Sequence, residues 1–355
     1  MSEGGPPLLT GGSRRRRRPR RRRRTKRRGP RFSRVLLLVP LAGGIALAAI
    51  VLSSSGGDDG SGRQATLRPP SLAQPAKPPP ALDEPAAGGG DPSRFAVRLT
   101  GADIVHMRFA HSRRAGLLFD VRNGRVLWHL DPTRRLPIAS LTKMMTALVV
   151  VERRDPHERV RITAKARHTA GSAVGVLPKR RKVQLEALLN GLLLVSGNDA
   201  AVALAQHTGG SVRGFVRMMN ERARQIGLAC THYTSPHGLQ DAGNRSCAVD
   251  LATLARADLH LRRIRRIVHR DRAIVKFPIK GGRLFLYNNN PLMRSGYPGV
   301  TGLKTGYTDR AGRSIVATAR RGKVELGVVL LHAYNTSDQA KRLLDRGFRA
   351  LAAAS

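Results

Sequence analysis

Leu141 to Val151 reads LTKMMTALVVV, a stretch that is apolar on nearly every side of a helix. A surface helix keeps one polar face, so this one has to lie inside its domain with other elements packed around it. A charge is hard to place on such a helix, yet Lys143 sits on it, one turn from Ser140. The chain is therefore constrained to a layered domain wrapped around a helix that carries a hydroxyl and an amine at its start. Pro137 precedes them and favours a chain turning into a helix, which puts Ser140 in the first helical turn.

In that first turn a backbone N–H has no intrahelical partner, and the helix dipole favours negative charge. Lys143 is three residues on and shares the face, so its side chain reaches the Ser140 hydroxyl. A lysine is a base only when neutral, which needs desolvation or a neighbouring cation. The plain structural alternative, a capping serine beside a surface lysine, fits poorly with so apolar a helix.

The surrounding pattern predicts an α+β domain. Ala115 to Val121 and Arg125 to Leu130 flank Asn123-Gly124, a strong hairpin signal. Gln184 to Val195, Asp199 to His207 and Val212 to Ile226 read as helices, the last stopped by Gly227. Ser246 is expected to cap a further helix through Leu254. Ser314 to Ala319 and Val324 to Leu331 read as strands, and Ser337 to Phe348 as a closing helix. Strands at both ends with helices between them imply one mostly antiparallel sheet, flanking helices and a helical insert.

Two more short strings carry chemistry. Ser196-Gly-Asn198 falls between two predicted helices. Asn198 either caps the second helix or, with Ser196, faces the serine–lysine pair; in that case Ser196 relays a proton and Asn198 holds Lys143 and a substrate amide. Lys304-Thr305-Gly306 follows a short apolar run, as on a strand facing a cleft. There Lys304 supplies a positive field, Thr305 a hydrogen bond to a carboxylate, and Gly306 room for close backbone approach.

The 355-residue chain has a formal net charge of +41. Residues 14 to 34 hold an arginine-rich run with no acid among them, expected to be disordered and cytoplasmic (residues 1–34). Val35 to Leu52 follows without a charge. As a helix it reaches ~27 Å, close to the ~30 Å hydrocarbon core, and the one-sided basic flank orients it with the N-terminus inside. It is expected to be a transmembrane anchor meeting anionic headgroups, with a cleaved signal sequence as the alternative. Residues 53–93, rich in Pro, Gly and Ser, read as a linker, and residues 94–355 as the folded, extracytoplasmic domain. That domain is basic too, either as a solvated surface or through attraction to a polyanion. No nucleic-acid reader motif is present. Cys230 and Cys247 are too few and too far apart in sequence for a zinc site; a disulfide and two free thiols both remain open.

The three strings, in this order, resemble the SxxK, SxN and KTG elements of penicillin-binding proteins and serine β-lactamases. The wider stretch from about residue 112 to 350 resembles the D-alanyl-D-alanine carboxypeptidases, the low-molecular-mass penicillin-binding proteins. The matching stretches include Pro137 to Thr146, Leu193 to Ala201, Ser235 to Leu239, Gly302 to Thr308 and Gly347-Phe348. The resemblance implies a transpeptidase-like fold and cleavage of peptidoglycan stem peptides, with penicillins as inhibitors and no metal or cofactor. It implies Ser140 as nucleophile, Lys143 as base, Ser196 and Lys304 as proton-relay pair, and the backbone N–H groups of Ser140 and Tyr307 as oxyanion hole. One departure stands out. Thr336 occupies the place where many relatives carry a carboxylate-binding arginine, and Arg313 is the candidate substitute. His232 and His237 are expected to be loop or core histidines. A β-lactamase, or a non-catalytic basic envelope protein binding anionic polymers, is the alternative.

Overall fold

The computed structural model describes residues 92–99, 101–107, 115–239 and 242–354. The arginine run, the 35–52 stretch and the linker lie outside the described residues. No helix among those described is long and apolar enough to cross a membrane.

A 3₁₀ turn, Pro92–Phe95, leads in. Strands β1 (Ala115–Asp120) and β2 (Val126–Leu130) form the first hairpin. Its turn needs Gly124, whose φ is +76° and whose missing Cβ leaves room for the Ala96 carbonyl and the Arg256 guanidinium. A second 3₁₀ turn, Ala139–Leu141, opens α1 (Thr142–Arg153). Next come β3 (Arg159–Arg161), α2 (Ala164–Arg167), β4 (Lys182–Gln184), α3 (Leu185–Leu193), α4 (Asn198–Gly209) and α5 (Val212–Gln225). Then follow α6 (Ala248–His260), α7 (Arg262–Val268), β5 (Arg272–Lys276), β6 (Arg283–Tyr287) and α8 (Pro291–Arg294). Strands β7 (Val300–Thr308), β8 (Gly312–Arg321) and β9 (Val324–Ala333) and helix α9 (Thr336–Ala353) complete the domain.

The main sheet runs β2-β1-β9-β8-β7, and every pairing in it is antiparallel. The first hairpin and the last three strands thus meet across the whole sequence, as the pattern implied. Alternate residues divide the sheet between two cores. Leu117, Phe119, Val316 and Val329 join the cluster holding α1, α3, α4 and α6. Leu118, Ile315, Ala317 and Val328 face Leu343, Leu344 and Phe348 of α9. This two-sided burial explains the unbroken apolar runs in β8 and β9.

Helix α1 packs against α3, α4, α5, α6 and α7. Met144, Met145, Val149 and Val150 are fully buried. Each such side chain contributes about 1.5–3 kcal/mol on leaving water. The apolar helix is therefore the axis of the helical half, and it holds its first residues against the sheet.

Two expectations need correction. Cys247, not Ser246, is the N-cap of α6, without a side-chain cap bond. The Ser246 hydroxyl bonds instead to Thr231 Oγ1 at 2.8 Å, drawing it away from the helix start. Ser140 lies in the 3₁₀ turn just before α1, not within it. The two-stranded pairs β3–β4 and β5–β6 were not foreseen; RVR and KVQ, at three residues each, are too short for an alternating period to be read.

Candidate active site

Ile138 and Ala139 deliver the chain to Ser140 through a strained turn. Ala139 has φ +47°, a left-handed conformation costly for a residue with a Cβ. The turn is held by Thr142, whose hydroxyl donates to the Ala139 carbonyl at 2.8 Å. It is pressed from outside by Gly238 (φ +77°), where a Cβ would collide with that same carbonyl. Thr146, one turn further along α1, donates to Pro236 O at 2.7 Å and ties the same loop to the helix.

Lys143 is fully buried. Its Nζ lies 2.8 Å from Ser140 Oγ, 2.7 Å from Asn198 Oδ1 and 3.0 Å from the His237 carbonyl. The Asn198 orientation is fixed from its other end, since its Nδ2 donates to Ala170 O at 2.7 Å. Asn198 is the first residue of α4, whose N-cap is Gly197 without a side-chain bond. Of the two sequence readings of Asn198, capping is thus excluded. Two of these Nζ neighbours are carbonyl oxygens that can only accept; the Ser140 hydroxyl accepts from the amine as well, and can donate back to it only once the amine has given up its extra proton.

Ser196 also sits in a left-handed conformation, φ +67°. Its hydroxyl is buried and finds no hydrogen-bond partner among the described residues. Of the five non-glycine residues described at positive φ, one adjoins the first serine and another is the second. Strain at a cleft-lining serine and at the residue before another is a mark of a functional site.

On the facing side, β7 brings Lys304, Thr305, Gly306 and Tyr307 past the Ser140 turn. A Cβ on Gly306 would lie 2.9 Å from Ile138 O and 3.2 Å from the Ser140 backbone nitrogen, so only glycine lets the strand come this close. Lys304 is 2% exposed and donates to Thr305 O at 3.0 Å. Desolvation pulls its pKa down to about 7. Tyr307 is exposed, its hydroxyl donating to Asp309 at 3.0 Å and its ring lying 5.5 Å beneath the Arg313 guanidinium.

A cleft of about 710 Å³ opens in front of these groups, lined by Ser140, Ser196, Thr305, Gly306 and Tyr307. Lys143, Asn198 and Lys304 stand behind its wall. Arg294, Arg313 and Thr336 also line it, and no carboxylate among the described residues does. The cleft therefore favours an anionic ligand. Sequence reasoning missed Ser172, Asn289, Arg294 and Tyr334 on the lining, and the carbonyls of Ala170 and His237 behind it. A backbone carbonyl leaves no trace in residue type. His237 takes part through its carbonyl, while its ring accepts from Leu239 N at 3.1 Å. His232 pairs through its backbone with Arg245, away from the cleft lining.

Cys230 and Cys247 form a disulfide with a Cα–Cα distance of 5.7 Å, which resolves the open alternative. The bridge closes the loop that carries His237 and Gly238. Next to it, burial raises the Asp250 pKa, partly offset by hydrogen bonds from Thr231 and Cys230 N.

A five-stranded antiparallel sheet with α9 on one side, a helical half on the other, and a serine–lysine turn against strand β7 is the fold of the β-lactamases and penicillin-binding proteins. The chain belongs to the D-alanyl-D-alanine carboxypeptidase family of peptidases, whose family profile matches residues 104–335. It is 32% identical over 253 residues to the D-alanyl-D-alanine carboxypeptidase DacF of Bacillus subtilis, an alignment covering 67% of this chain and 63% of that one. It is 34% identical over 245 residues to DacA of Haemophilus influenzae, covering 65% of this chain and 61% of that protein. The chain thus spans about three fifths of the length of these relatives. The crystal structure of a D-alanyl-D-alanine carboxypeptidase from Mycobacterium tuberculosis superposes with a TM-score of 0.63 at 33% identity, covering 67% of this chain and 91% of that one.

Proposed function

We propose that this chain is a serine D-Ala-D-Ala carboxypeptidase that removes the terminal D-Ala from peptidoglycan stem peptides. The observation that carries the reading is the contact of Lys143 Nζ with Ser140 Oγ inside an acceptor cage at the head of a buried helix.

The reaction follows from the groups in place. The peptide lies along β7 with its terminal carboxylate toward Thr305 and Lys304. Arg313 stands in the cleft for the arginine that Thr336 replaces. Lys143 accepts the Ser140 proton as Oγ bonds to the penultimate carbonyl carbon. The N–H groups of Ser140 and Tyr307 stabilise the resulting oxyanion. The oxyanion collapses and the C–N bond breaks. The leaving amine takes the proton that Lys143 accepted, handed on through the Ser196 hydroxyl, which finds no other partner among the described residues. Water then adds to the Ser140 ester, and the shortened acid departs. A penicillin forms the same ester but leaves no small amine, so its adduct persists.

We place the catalytic domain outside the membrane, held by residues 35–52 and the linker to residue 93; the uncharged 18-residue stretch behind a basic run supports this. External protease should then remove the domain from intact cells, and resistance to the protease argues against it.

Labelling with a fluorescent penicillin, together with D-Ala release from a peptide ending in D-Ala-D-Ala, tests the activity. The parent should carry one adduct on the peptide containing Ser140 and release D-Ala; Ser140→Ala should do neither. Arg313→Ala should raise KM for that peptide more than for its C-terminal amide. Rapid penicillin turnover without D-Ala release would turn the reading toward a β-lactamase.

A further inference from the structure

At the far end of the sheet from the cleft lies a cavity of about 580 Å³ with a different character. Ser314 borders the cleft, and Arg320, six residues along the same strand, borders this cavity. At the rise of a strand the separation is about 20 Å.

Cations reach the cavity from four separate parts of the chain: Arg94 from the leading turn, Arg122 from the β1–β2 turn, Arg256 and Arg265 from α6 and α7, and Arg320 and Lys323 from the end of β8 and its turn. A second cavity of about 500 Å³ shares Arg265 and Arg320 with it and adds Arg262, Arg266 and His269. The two form one continuous basic trough. The single carboxylate on their lining among the described residues, Glu325, is 3% exposed and already engaged. It accepts from Arg320 Nη2 at 2.5 Å and from Thr301 Oγ1 at 2.8 Å.

Some of these cations have structural work. Arg256 donates to the carbonyls of Val121, Ala96 and Arg122 and locks the leading segment to the first hairpin. Arg94 bonds His260 at 3.0 Å. By contrast, the side chains of Arg122, Arg265 and Lys323 make no hydrogen bond or ion pair among the described residues. Arg266 pairs with Glu186 at 3.7 Å and Arg320 with Glu325, but the cations outnumber these carboxylates, and a bound polyanion relieves the remaining repulsion.

The geometry points to a binding site for a linear polymer bearing repeated phosphate groups, occupied independently of the catalytic cleft. Arginine forks match phosphate oxygens. Two joined cavities suit several groups in succession better than one ion. A flat membrane fits a recessed trough less well, and among the described residues no large exposed apolar side chain lines either cavity to enter a lipid layer. Among the described residues Phe95 is the one phenylalanine, tyrosine or tryptophan on the lining, and Arg94 and the His260 ring each lie 5.5 Å from its ring, which leaves little room for a run of stacked bases.

The test is lysine footprinting of the full chain with linear polyphosphate. Its readout is local, because the arginine run at residues 14–34 will bind polyanions by itself. Lys323 should lose amine reactivity at least ~5-fold on adding polyphosphate, while Lys280 on the β5–β6 connection changes little. Salt should reverse the protection. In Arg122→Glu/Arg265→Glu, protection of Lys323 should need roughly tenfold more polymer, with D-Ala release from a soluble peptide unchanged. Unaltered Lys323 reactivity in the parent overturns the proposal, as does protection that the double variant keeps. Equal protection by inorganic phosphate at the same phosphorus concentration would make this a single-ion site. Protection by phosphatidylglycerol vesicles but not by polyphosphate would make it a membrane contact. Either result overturns the polymer assignment.

Discussion

Lys304 shows how burial sets chemistry at a single residue. With desolvation as the only cause, its pKa falls from 10.5 to about 7. Above pH 10.5 the amine is neutral in the folded and unfolded chain alike. Between 10.5 and about 7 the unfolded chain binds a proton that the folded chain does not, so this lysine makes folding less favourable as pH falls. Below about 7 the penalty is complete. Lys304→Met should therefore raise the urea midpoint at pH 6, with the gain shrinking toward pH 10; a gain independent of pH contradicts the assignment. In the parent, KM for a carboxylate-ended peptide should rise above about pH 7 as the cation is lost, a limb the variant lacks. At this scale Ser140, Lys143 and Lys304 were legible, because residue type and spacing carry them. The carbonyls of His237 and Ala170 were not, because every residue has a carbonyl and only packing selects which ones face inward.

Among the elements, the contact between β7 and the 3₁₀ turn before α1 is the decisive one. It brings together segments about 165 residues apart, and Gly306 allows it. Gly306→Ala should force the strand away from the Ser140 N–H and slow penicillin acylation by roughly 10²–10³-fold, the loss typical of a removed oxyanion donor. The fold should survive, since β7 keeps its pairing with β8; an unchanged acylation rate would place the oxyanion site elsewhere. Helices and strands of the main sheet were readable from periodicity. The boundary at Ser140 shifted because the strained Ala139 tightens the entrance to α1. The α6 cap shifted because Thr231 holds Ser246. Both are tertiary effects on local signals.

For the whole molecule, the disulfide joins the start of α6 to the loop that accepts from Lys143. With a sequence separation of 17, it should contribute about 3 kcal/mol by restricting the unfolded chain. Reduction should lower the thermal midpoint by several degrees and slow penicillin labelling together; slower labelling with no thermal shift would localise the effect to the loop. Sequence alone determined the α+β class, the apolar central helix and the three short strings that meet at the cleft, since each is written in short-range pattern that physics reads locally. Tertiary structure alone decided that the two cysteines bond, that Asn198 turns to a lysine and not to its own helix, and that arginines from four distant segments share one trough. Those outcomes depend on which surfaces meet when the layers close, and no local pattern encodes that.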